Sequence, residues 1–85
     1  MKFVDTTTNI AIRGVEDETE YYLSVFDFIN HACEKKPSSA YGRNLFYRLI
    51  AIGSDHASEI LSFCKQRQFT GYFTVLHHLV RLLFC

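Results

Sequence analysis

The stretch NIAIRGVEDETEYYLSVFDFI, residues 9–29, decides how the chain folds, because its apolar period changes partway through. From Asn9 to Val15 apolar residues alternate with small or polar ones. The acidic run Glu16-Asp17-Glu18-Thr19-Glu20 interrupts them, and Tyr21-Tyr22-Leu23-Ser24-Val25 supplies a second β-rich segment. Two such runs around a polar turn predict a β-hairpin with an acidic tip. At Ser24 the period lengthens. Ser24 and Asp27 have the spacing of a helix-capping pair, and Val25, Phe28, Ile29 and Ala32 fall at i, i+3, i+4 and i+7, so a helix is expected from about Val25 to Glu34. Lys35-Lys36-Pro37 then ends it: proline disfavours helix in the residue before it, and the lysines suit the negative end of the helix dipole.

Downstream, Ser38 or Ser39 caps a second helix whose expected inner stripe is Tyr41, Leu45, Leu49 and Ile52, closed by Gly53 in a left-handed conformation. That stripe leaves Arg43 and Tyr47 on the opposite side, Asn44 on a flank, and Phe46 and Ile50 on an unusually apolar outer side. Arg48, at the edge of the stripe, reads as a structural residue with a buried stem. Residues 60–65, Ile-Leu-Ser-Phe-Cys-Lys, read as a strand, with Lys65 to Gly71 as a polar turn and Tyr72-Phe73 as its partner. A helix from Ala57 to Phe63 is the alternative. Thr74 caps a last helix carrying Leu76, Leu79, Val80 and Leu83 on one face. It runs to Cys85 without glycine, proline or a polar tail, which suggests a domain cut from a longer protein or an end covered by a partner. The expected fold is therefore α+β: a small single domain with an N-terminal β-hairpin, two helices, a short second hairpin and a C-terminal helix.

Composition bounds the function. Eighty-five residues allow one core, and 48% hydrophobic with 21% charged residues is the balance of a packed chain. Nine basic and nine acidic residues cancel overall, but not locally. Residues 1–34 hold two basic residues against seven acidic, and residues 35–85 hold seven basic against two acidic. Folding that keeps these sets apart gives a basic surface, whereas folding that interdigitates them cancels the charge. Cys33, Cys64 and Cys85 are odd in number and lie in apolar neighbourhoods, so they read as buried thiols in a reducing cytoplasm or nucleus rather than as disulfides or metal ligands. No secretory leader or membrane span is expected.

Catalytic signals are thin. There is no phosphate loop or nucleophile elbow, and His77-His78 point about 100° apart on a helix, which suits solvated rim residues and not a metal pair. Phe26 and Phe28 read as core. No enzyme activity, cofactor, metal or small-molecule substrate is expected. The segment Lys65-Gln66-Arg67-Gln68 is more suggestive, since cations neutralise phosphates and glutamine can address base edges.

Three stretches then carry a family resemblance: Ile12-Arg13-Gly14-Val15; Tyr21 to Ile29 after the acidic hairpin; and Ala40-Tyr41-Gly42-Arg43-Asn44-Leu45-Phe46-Tyr47-Arg48-Leu49. In this order they resemble the Bro-N domains of phage antirepressors, baculovirus repeated-ORF proteins and the bacterial DNA-damage-inducible protein D group. The match runs nearly without gaps over residues 10–50 and is weaker from Ser58 onward. The resemblance implies an α+β DNA-binding domain related to KilA-N domains, with a viral or transcriptional role and a place near the N-terminus of a longer protein. It makes Ser24 and Asp27 the helix-capping pair and Arg48 the recurrent arginine of the second helix. The chain departs from the family pattern at Gly42, where the family has tryptophan, and at Phe46, where it has lysine.

Residues and resemblance together predict double-stranded DNA as the partner. Lys35, Lys36, Arg43, Lys65 and Arg67 are the expected phosphate contacts, and Asn44, Gln66 and Gln68 the candidate base readers. The other reading is a protein-interaction or homodimerisation module using Tyr47 and Leu82.

Overall fold

The computed structural model describes residues 2–5, 10–16 and 20–84. Strand β1 (Lys2–Asp5) is followed by β2 (Ile10–Glu16), β3 (Tyr21–Ser24), helix α1 (Val25–Ala32), α2 (Tyr41–Ala51), α3 (Asp55–Gln66), β4 (Phe73–Thr74) and α4 (Leu76–Phe84). The strands lie in the order β1-β2-β3-β4, each pair antiparallel. β2 serves two partners: Ile10 to Arg13 pair with β1, and Gly14 to Glu16 pair with β3. The class is α+β, and the β2–β3 hairpin stands where the alternating pattern predicts it. Its tip, Asp17 to Thr19, lies outside the described residues, as does Cys85.

β3 passes into α1 without a loop. Ser24 ends the strand with extended φ and ψ of −62° and 124°, and its hydroxyl accepts a hydrogen bond from the Asp27 amide at 3.3 Å. This is the capping geometry that Ser24 and Asp27 predict. Each helix contributes to one core: Val25 and Ile29 from α1, Phe46 from α2, Ala57, Ile60 and Cys64 from α3, and Leu79 from α4. Covering a side chain the size of Phe46 or Leu79 is worth about 1.5–3 kcal/mol.

Residues 60–65 form part of a helix, not a strand. Ser54 caps it by accepting from the Ala57 amide at 3.3 Å, Asp55 sits in its first turn, and Ala57, Ile60 and Cys64 are buried at helical spacing. There is thus no second hairpin between residues 60 and 73. Phe73 and Thr74 do form a strand, but they pair with Ser24 and Leu23 of β3, and the Val25 amide reaches back to the Tyr72 carbonyl at 3.0 Å.

The inner side of α2 also differs from the expected stripe. Gly42 and Phe46 are buried, Leu45, Leu49 and Ile50 are half-buried, and Tyr41 and Ile52 are exposed. The cause is Gly42, where a Cβ would collide with the Phe26 carbonyl and the Asn30 side chain. Contact between α1 and α2 at this glycine turns its side inward, and Phe46 follows one turn later. Arg48 is consequently exposed. In α4 the inward residues are Leu79, Leu82 and Leu83, whereas Leu76 and Val80 lie outside. The α4 start is also not capped as expected: Thr74 belongs to β4, and the Val75 carbonyl accepts from the His78 and Leu79 amides. On α1, Ala32 is exposed, and the helix stops there, before Glu34.

Three helices end alike. Glu34, Gly53 and Gln68 have φ of 57°, 81° and 56°, and the following amides of Lys35, Ser54 and Phe69 return to the carbonyls of Asn30, Leu49 and Cys64. This left-handed stop satisfies carbonyls that the last turn would otherwise leave unpaired. Gly53 is the residue whose sequence announces it; after α1 the left-handed residue is Glu34, ahead of Pro37.

Gly42→Ala tests the close packing of α1 on α2. Alanine favours an isolated helix by up to about 1 kcal/mol, yet overpacking costs about 1–3 kcal/mol. Urea denaturation should show a net loss of stability, and a gain would refute the contact.

Candidate nucleic-acid interface

Within the apolar run of α1, Asp27 places a carboxylate that is only 7% exposed. An isolated buried charge costs several kcal/mol, so a partner is required. Arg13 of β2 supplies it three times over: its backbone N–H donates to Asp27 Oδ2 at 2.8 Å, Nε to Oδ2 at 3.0 Å, and Nη2 to Oδ1 at 3.2 Å. The hydrogen bond and the charge of Asp27 raise the Arg13 pKa against the opposing effect of burial. The Arg13 side chain is 54% exposed, so its outer edge faces solvent while its inner edge is held.

One turn further along α1, buried Asn30 ties down the start of α2. Its Nδ2 donates to the Ser39 carbonyl at 2.9 Å and the Pro37 carbonyl at 3.3 Å, and its Oδ1 accepts from the Gly42 amide at 2.8 Å. Ser39 Oγ accepts from the Tyr41 amide at 3.1 Å. These bonds shape the segment 37–40 into one wall of a cleft of about 460 Å³, which Arg13, Phe26 and Arg43 also line. A second cleft of about 300 Å³ shares Arg13 and Phe26 with the first and extends to Gly71 and Tyr72. A third, of about 330 Å³, shares Thr70, Gly71 and Tyr72 with the second and reaches Tyr47 and Lys65.

The shared residues join the three clefts into one groove. Its floor is aromatic, with ring centroids 5.5 Å apart for Phe26 and Tyr72, 5.9 Å for Phe26 and Tyr47, and 6.0 Å for Tyr47 and Tyr72. Burial, helped by the neighbouring Tyr47 hydroxyl and the Cys64 thiol, pushes the Tyr72 phenol above its ordinary pKa, so it stays neutral. Three lining residues are cationic, Arg13, Arg43 and Lys65, and the one carboxylate, Asp27, is already engaged by Arg13. Chemically this is a surface for an anion with flat or apolar groups attached. Burial raises the Cys64 pKa, and the thiol donates to the Phe73 carbonyl at 3.1 Å.

Of the residues expected to bind DNA, the groove brings together Arg43 and Lys65. Lys35 and Lys36 are exposed but line none of the three clefts, and Lys35 Nζ lies 4.7 Å from the Tyr41 ring centroid. Arg67 is turned elsewhere: its guanidinium stacks 3.9 Å over Phe63 and 5.8 Å from Tyr22. Asn44, Gln66 and Gln68 are exposed but line none of the clefts. Tyr47 is part of the groove, and Leu82 packs against the core. Arg13, Phe26 and Tyr72 are the additions. The available signal for Arg13 was Asp27 itself, a carboxylate amid Val25-Phe26 and Phe28-Ile29 that needed a cation. No family model, curated protein or solved structure matches the chain. Among the described residues no cluster of three or more metal-ligating side chains occurs, and no helix is long and apolar enough to cross a membrane.

Outside the groove, His78 is not the solvated rim residue that its position suggests. Its Nδ1 lies 2.7 Å from Thr74 Oγ1, its Nε2 lies 3.3 Å from Glu59, and its ring meets Phe63 edge-on. Burial lowers its pKa more than Glu59 raises it, and His77, Arg81 and Arg67 add to the lowering.

His78 therefore carries a testable pH dependence. With its folded pKa below the ordinary 6.5, the unfolded chain binds more protons just under that pH, so the His78 contribution to stability is complete above 6.5 and is lost as pH falls. Urea midpoints at about pH 7.5 and about pH 5.5 should show this decline, and His78→Gln should reduce it. An unchanged pH dependence in that variant would contradict the assignment.

Proposed function

We propose that the chain is a duplex-DNA-binding regulatory domain without catalysis, laying one phosphate backbone along the groove. The observation that carries this reading is the continuity of three clefts edged by Arg13, Arg43 and Lys65, with no uncompensated carboxylate among their lining residues. Phosphate contacts dominate affinity and position the protein, so a row of cations matters more than net charge, which here is zero. Lys35 and Lys36, exposed and directly before the 37–40 segment in sequence, are further candidate phosphate contacts. Exposed Asn44 and Gln66 are the base-reading candidates. The resemblance of residues 10–50 to Bro-N domains supports the same reading, and with it a viral, phage or mobile-element regulator acting in the cytoplasm or host nucleus.

Neutralising Lys36 and Lys65 together should weaken binding to all duplexes alike and flatten the slope of log affinity against log salt by about two, at roughly 0.9 per phosphate contact. Fluorescence anisotropy across a salt series measures this. Salt-independent binding, or none, would contradict the reading.

The α4 surface favours a second reading. Leu76, Val80 and Phe84 are 53%, 40% and 67% exposed and recur every four residues, forming an apolar stripe suited to a second copy or another protein. If it is used for self-association, sedimentation should show a dimer that Val80→Lys converts to monomer. A wild-type monomer at all accessible concentrations would exclude homodimerisation.

A further inference from the structure

We propose that the cleft between Arg13 and Arg43 binds a phosphoryl dianion, and that on DNA it takes a terminal 5′-phosphate in preference to an internal diester. The DNA part rests on the function proposed above; the phosphoryl site rests on the cleft itself.

Arg13 spends Nε and one edge of Nη2 on Asp27 and keeps its outer N–H groups for a ligand. Because the buried carboxylate fixes the guanidinium, little side-chain freedom remains to be lost on binding. Arg43 enters from the first turn of α2, is exposed, and has no ion-pair partner among the described residues. Ser38 and Ser39 place hydroxyl groups on the same wall. The first turn of α2 carries no acidic residue, so nothing there competes for the arginines.

These donors suit a monoester better than a diester. A terminal phosphate carries more than one negative charge at neutral pH and offers three free oxygens, enough for both guanidinium groups at once. An internal diester has one charge, two free oxygens and two chain ends that must leave the cleft. A cleft lined by two arginines therefore favours the terminal group, while the remainder of the groove follows the adjoining strand.

The experiment compares duplexes identical except for 5′-phosphate or 5′-hydroxyl ends, each labelled at a 3′ end and titrated by fluorescence anisotropy, with inorganic phosphate tested separately by thermal shift. The 5′-phosphorylated duplex should bind on the order of tenfold more tightly, from the added charge-assisted hydrogen bonds. Arg43→Gln should abolish that preference; this residue is exposed, so its replacement should leave the fold intact. Arg13→Lys, which keeps the charge but not the fork, should also lose it, with circular dichroism confirming the fold. Equal binding of the two duplexes would overturn the terminal-phosphate proposal and leave the DNA reading standing. Binding of neither duplex, together with an inorganic-phosphate thermal shift that Arg43→Gln removes, would overturn the DNA reading and keep the phosphoryl site. No response to either probe would overturn both.

Discussion

A carboxylate inside an apolar helix is the constraint on which this fold turns. Burying the Asp27 carboxylate costs several kcal/mol unless it is paired, and Arg13 of β2 answers with its backbone and its side chain together. The hairpin is thereby fastened to α1 from one side. Asn30 fastens α2 to the other side by three hydrogen bonds, and Gly42 lets the two helices approach at the point where those bonds end. Two buried polar side chains on α1 thus hold the sheet and the second helix in place, and the gap between what they hold is the groove. The residues that stabilise the fold and those that shape the surface are largely the same.

The legible parts of the sequence were the local ones. The strand pattern of Ile10 to Val15, the change of period at Ser24 and the left-handed Gly53 each depend on neighbours within a few residues, and the structure bears them out. Residues 60–65 misled because a short, mostly apolar segment fits a strand as well as a helix; the deciding signals were Ser54-Asp55 upstream and the spacing of Ala57, Ile60 and Cys64. The α2 stripe was misplaced for a different reason. A glycine has no hydrophobicity to enter into a periodicity, yet Gly42 sets which side of the helix faces inward.

For the candidate site, Arg43 and Lys65 were visible as cations near amide-bearing residues. Arg13 was not, since its partner lies fourteen residues away on another element and no spacing rule joins them. Two residues cross the charge division along the chain. Arg13 belongs to the acidic half but lines the groove, whereas Arg67 of the basic half stacks against Tyr22 of the hairpin. The basic character of the groove comes from three lining cations against a single carboxylate, Asp27, that Arg13 already engages.

The groove joins an aromatic floor to cationic edges, and on the proposed function the cations would meet phosphates and the rings the adjoining sugars. The α4 stripe offers a separate apolar surface that would serve protein contacts, so the two functional readings occupy different sites. The most direct test is to map duplex DNA binding by two-dimensional NMR of the backbone amides at low salt. The account predicts that perturbed amides concentrate at Arg13, Ser38 to Arg43 and Thr70 to Tyr72. Perturbations confined to α4 around Leu76, Val80 and Phe84, or none at all, would contradict it.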